Sequence, residues 1–133
     1  MKIMKTRSFS FLSLTLIGGI VAVIHFLANE HFLYWEWWWL DVVMHFLGGN
    51  FIASLFAWFY ISLRETIPSR AAILYAVFLV AVLWELFEFM TGMMDTTIPG
   101  YVFDTVSDTI LGILGAYIFS ILLFRNEEKT KTP

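Results

Sequence analysis

The chain has 133 residues, 59% of them hydrophobic and only 14% charged, with a formal net charge of -3 and a mean hydropathy of +0.77. A soluble domain carries about a quarter charged residues, so this balance excludes one and indicates a small, single-domain polytopic membrane protein. The absence of cysteine excludes disulfides and thiolate metal sites, and the eight Lys and Arg residues are too scattered to form a nucleic-acid surface.

Residues 1–8 carry Lys2, Lys5 and Arg7, and Phe9 to Ala28 then runs apolar for 20 residues. That run exceeds the core of a signal peptide, and no small-x-small cleavage site precedes Asn29. It therefore reads as an uncleaved first transmembrane helix over 9–28, with Gly18-Gly19 allowing close helix contact. Asn29 to Leu40 holds Glu30, His31 and Glu36, with four tryptophans in five positions at Trp35, Trp37, Trp38 and Trp39. This is the composition of an interfacial belt, or of an aromatic platform against a lipid or sugar headgroup.

The second span, 42–63, opens at Asp41 and carries His45, Gly48, Gly49 and Asn50. Pro68 breaks the chain before the third span, 71–94, and turn residues around Gly92 and Pro99-Gly100 precede the fourth, 104–124. Arg125 to Pro133 reads as a disordered cytoplasmic tail. The predicted fold is all-α: a four-transmembrane-helix bundle over residues 1–124 with an interfacial aromatic segment. All Lys and Arg residues fall at the N-terminus, between spans two and three, or in the tail. With four spans those regions share one side. The positive-inside rule makes it cytoplasmic, in the inner membrane, with both termini inside.

Leu83 to Met90 places Glu85 and Glu88 inside an apolar run. Three residues apart, they project from one helix face. A charge at membrane depth costs at least about 2.5–3.5 kcal/mol unless protonated, paired or metal-bound. At about 1.5 Å rise per residue, His25, Asp108 and Glu88 all lie roughly 5–6 Å below the outer boundary of an apolar core about 30 Å thick. Glu85 lies a few Å deeper, Asp41 and Asp104 near the boundary, and His45 one turn inward of Asp41. Taken singly, Asp41 and Asp104 read as helix N-caps and His25 as a structural histidine. Taken together, seven ionisable residues share one layer with no basic partner on their side. His25, Asp41, His45 and Gly49 also recur as Glu88, Asp104, Asp108 and Gly112 at a constant shift of 63 residues. That offset predicts two helical hairpins related by an axis along the membrane normal.

Three chemistries fit such a layer. Carboxylate and imidazole ligands suit one or two divalent cations (Mg, Mn, Zn or Fe) that would activate water against a phosphate ester of an envelope lipid. Buried acids would also serve as a proton relay in a carrier or permease. Interhelical hydrogen bonds alone would make the layer structural. The candidate catalytic group is Glu85, Glu88, Asp108 and His45, and the candidate metal ligands add Asp41, Asp104 and His25.

The combination Asp41-x-x-x-His45-Phe46-Leu47-Gly48-Gly49, Trp84-Glu85-Leu86-Phe87-Glu88 and Asp104-x-x-x-Asp108 with Gly112 and Gly115 resembles the YjdF-like predicted inner-membrane proteins. It is more distantly similar to the VanZ-like proteins linked to glycopeptide resistance. The resemblance spans residues 41–116 and implies a membrane location and a shared acidic motif without an assigned activity. The expected protein is an integral membrane protein of unassigned activity with a buried acidic and histidine site facing the outer side and membrane lipids as partners. Its first reading is a metal-dependent enzyme of an envelope lipid or lipid-linked envelope precursor. A small proton-coupled transporter or permease component is the alternative, and a structural partner subunit the third.

Overall fold

The computed structural model describes residues 2–92 and 99–129. They form α1 (Lys2–Glu30), the one-turn α2 (Leu33–Glu36), α3 (Trp38–Arg64), α4 (Arg70–Thr91) and α5 (Tyr101–Lys129), with no strand among them. Helices α1, α3, α4 and α5 each carry an apolar stretch long enough to cross a bilayer. The four-span, all-helical architecture is therefore as expected, and α2 lies within the aromatic segment.

Breaks in the helices follow local chemistry. Glu65 ends α3 in the left-handed region at φ 53°, its N–H returned to the Ile61 carbonyl. Past Pro68, Ser69 caps α4 by accepting a hydrogen bond from the Ala72 N–H at 3.2 Å. Gly92 closes α4 at φ 72°, a conformation glycine adopts without the Cβ clash that other residues incur.

Two boundaries differ from expectation. Helix α1 begins at Lys2 rather than at residue 9, and α5 continues to Lys129 through most of the segment read as a disordered tail. A helix satisfies its own backbone, so a charged turn can project beyond the bilayer without tertiary support. The last two residues expected in span three, Met93 and Met94, and residues 130–133 of the expected tail lie outside the described residues.

Helices α3 and α5 form the centre, and small residues set their approach. A Cβ on Gly49 would collide with the Gly112 carbonyl, and one on Gly115 with the Phe46 carbonyl. Ala53 and Ala57 on α3 and Ala116 on α5 are fully buried one and two turns further along. Lipid tails are as apolar as leucine, so hydrophobicity alone does not drive such a contact. Close backbone packing does. Below the crossing, Ile73, Val77, Phe119 and Leu123 complete the core, with Phe9 of α1 stacked on Phe119 at 6.3 Å.

Helices α1 and α4 each pack against both central helices, and among the described residues they do not meet each other. This arrangement is compatible with a two-fold axis relating α1 and α3 to α4 and α5. Such an axis would make Gly49 and Gly112 equivalent, and the two meet at the crossing. Large exposed side chains such as Phe26, Phe59, Leu83, Met90 and Phe103 stud the outside of the bundle. On a chain that crosses a bilayer this is the lipid-facing surface, not a binding patch.

Candidate functional site

The glycine crossing brings α3 and α5 together just inward of their N-terminal ends. Asp41 and His45, one turn apart on α3, thereby face Asp108 on α5. His45 Nε2 lies 3.5 Å from Asp41 Oδ1 and 3.7 Å from Asp108 Oδ2. One potential ligand atom from each of the three residues falls within 4.8 Å of the other two. Asp108 is 6% exposed and His45 half-buried, whereas Asp41 reaches toward the mouth. From the helix starts at Trp38 and Tyr101, His45 and Asp108 each lie about 10 Å along the axis, which places them at one depth.

Helix α4 supplies the acids from the opposite wall. Glu85 is 7% exposed, with a hydrogen bond to the Thr105 side chain of α5, while its Oε2 is buried with no hydrogen-bond partner. Glu88 is half-buried and bonded to the Trp84 side chain. Both carboxylates interact electrostatically with His45 and Asp104, and Glu88 also with Asp41. Glu85 and Glu88 lie beside the cluster, but among the described residues only Asp41, His45 and Asp108 bring ligand atoms within 4.8 Å of one another, so the two glutamates and Asp104 stand outside that group.

Asp41 and Asp104 do not cap their helices. Trp37 occupies the N-cap of α3 without a side-chain bond, and both aspartates sit in the first turn. There the positive end of the helix dipole favours a carboxylate. Asp104 is exposed at the mouth.

His25 stands apart from the cluster. The Asn29 amide donates to its Nε2 at 3.0 Å, which leaves Nδ1 as the protonated nitrogen, donating to the Tyr34 oxygen at 2.9 Å. With both ring nitrogens engaged, His25 serves to hold α2 against α1. The Tyr34 phenol, drawn in by that contact, has its pKa raised by burial, with the charges of Asp41 and Glu88 adding to the effect.

Sequence reading did not select Tyr34, Thr105 or Asn50. Tyr34 is masked by the surrounding aromatics, and Thr105 has no signal beyond its place beside Asp104. Asn50 is 7% exposed, one turn inward of Phe46, and its Oδ1 is buried without a partner. A polar side chain at that depth in an apolar span was its available signal.

Among known families, the model described as a predicted membrane protein (DUF2238) matches residues 2–129. No curated protein and no solved structure matches the chain.

Proposed function

The chain belongs to the family of predicted membrane proteins DUF2238, and from that premise we propose that it is a divalent-cation-binding membrane protein whose site opens on the outer face of the inner membrane. The observation that carries this reading is the convergence of Asp41, His45 and Asp108 from two helices, with ligand atoms within 4.8 Å. One imidazole and two carboxylates form a donor set suited to Mn, Zn or Fe, and to Mg where water completes the shell. The bound cation would act as a Lewis acid on a phosphate ester at headgroup depth, which makes an envelope lipid or lipid-linked precursor the substrate class. Glu85 and Glu88 would supply or accept protons beside it. The finer resemblance to YjdF-like proteins belongs to this reading.

Titrating Mn into the purified chain tests it. Saturable binding is expected, and Asp108→Asn should weaken it by more than the ~10–100-fold that follows loss of a merely supporting residue. No saturable heat in the parent removes the reading. A proton relay then takes its place, favoured by Asn50, whose unpartnered oxygen extends the polar layer inward.

The orientation rests on the positive-inside rule, since every Lys and Arg falls in the N-terminal segment, at the junction of α3 and α4, or in the C-terminal segment. A reporter enzyme that works only outside the cytoplasm should be active when fused after Gly100 and inactive when fused at the C-terminus. The reverse pattern would invert the topology.

A further inference from the structure

At the end of the bundle away from the acidic layer, one arginine has surroundings unlike those of the other basic residues. Arg70 opens α4, and its guanidinium carbon lies 5.3 Å from the ring centre of Tyr117 and 5.5 Å from that of Phe124. Both distances are within the range of cation–π attraction, which strengthens where water is excluded. Tyr117 and Phe124 stand two turns apart on one face of α5, so the guanidinium is held against that face instead of sweeping through water. Among the described residues no other arginine or lysine lies over an aromatic ring.

Aromatic rings attract the charge but satisfy few of the five N–H donors, whose fork matches the oxygens of a phosphate. Among the described residues no carboxylate forms an ion pair with Arg70. Its charge is therefore open to an anion from outside the chain, and depth selects the kind of anion. Counted from Tyr101, Tyr117 lies about 24 Å and Phe124 about 35 Å along α5, on either side of the edge of an apolar core about 30 Å thick. Arg70 is thus held at headgroup level in the leaflet opposite the acidic layer, the inner leaflet in the orientation given above. Toward the bilayer centre, Tyr117, Leu114 and Ile110 form an exposed stripe on α5, and Phe78 is exposed on the neighbouring α4. A positive seat at the headgroup end and apolar walls beyond it match the two halves of a phospholipid.

We propose that the inner end of the groove between α4 and α5 binds one anionic phospholipid, its phosphate held by Arg70 and its acyl chains laid along Tyr117 and Leu114. A net-anionic headgroup such as phosphatidylglycerol is favoured, because Arg70 brings a charge that no described carboxylate offsets. Basic residues set between transmembrane helices on the cytoplasmic side recognise such headgroups by the same charge match. This site is separate from the cation-binding layer and does not depend on it.

The test is the thermal midpoint of the full chain in an uncharged detergent with added phosphatidylglycerol or phosphatidylcholine, together with the lipid retained in native mass spectrometry. Phosphatidylglycerol should raise the parent's midpoint saturably and stay bound at one molecule per chain, and phosphatidylcholine should do neither. Arg70→Gln should weaken phosphatidylglycerol binding about tenfold or more, the effect of losing a charged hydrogen-bond partner. Arg64→Gln should leave it unchanged, since Arg64 is exposed at the end of α3 and lies over no described ring. Tyr117→Leu keeps every charge and should also weaken binding, because the guanidinium loses a ring that positions it. Lipid-free midpoints and helicity equal to the parent's would establish that the variants are folded. Equal stabilisation by the two lipids, or unchanged affinity in folded Arg70→Gln or Tyr117→Leu, would overturn the site. An equal loss in Arg64→Gln would replace it with a diffuse basic belt. Glycerol phosphate matching phosphatidylglycerol at the same concentration would show a seat for a free anion and overturn the lipid.

Discussion

Replacing Gly49 with alanine should destabilise the bundle by at least the upper end of the ~1–3 kcal/mol typical of overpacking, and Gly49→Leu should prevent its assembly. The new Cβ would meet the Gly112 carbonyl, a backbone atom that cannot rotate away as a side chain can. Relief requires α3 and α5 to separate. Separation would strip Ala53, Ala57 and Ala116 of the contacts that take the place of hydrophobic driving force in lipid. It would also draw Asp108 away from His45, so cation binding should fail along with stability. Gly48→Ala is the control, because nothing lies within 4 Å of a Cβ there. Denaturant or thermal unfolding of both variants in detergent decides the matter. Equal midpoints for Gly49→Ala and Gly48→Ala would show that the close crossing does not hold the bundle together.

The second large effect is linkage between cation and stability. A ligand that binds the folded chain alone stabilises it by RT ln(1 + [L]/Kd), which is about 4 kcal/mol at a thousandfold excess over Kd. Exhaustive chelation should therefore lower the melting temperature of the parent substantially, and re-addition of Mn should restore it. Asp108→Asn should melt at nearly the same temperature with and without metal. Once metal is removed, its stability relative to the parent reports what the Asp108–His45 pair, 3.7 Å apart, contributes. The pH dependence has a definite sign. Binding requires neutral imidazole and ionised carboxylates, so the stabilisation by Mn should shrink as pH falls. Melting curves of the parent that coincide with and without Mn, Mg and Zn would dismiss the resident cation.

Much of this molecule can be read along one dimension. A bilayer of fixed thickness turns residue number into depth, so runs of apolar residues mark the four spans, and counting along them places Asp41, His45, Glu85, Glu88, Asp104 and Asp108 in one layer. One glycine pair, Gly49 and Gly112, also falls at the shift of 63 residues, and in lipid small residues are what let backbones approach.

Depth says nothing about direction around a helix axis, and there the tertiary structure decided. His25 shares the depth of the acids, but its ring is turned to Tyr34 and Asn29 and not toward Asp108. Glu85 and Glu88 share a helix face, yet Glu85 is the more buried, because Thr105 of α5 lies against it. Asp41 and Asp104 have the residue type of helix caps but stand in the first turn, since α3 starts at Trp38 and α5 at Tyr101. Tyr34 joins the site only because α2 folds back over α1, through a residue, Phe32, held at φ 56° with no local glycine to announce the turn. Each of these outcomes depends on which helix is the neighbour and at what rotation. The contact of Gly49 with Gly112, and of Gly115 with Phe46, sets that rotation for the two central helices that carry Asp41, His45 and Asp108.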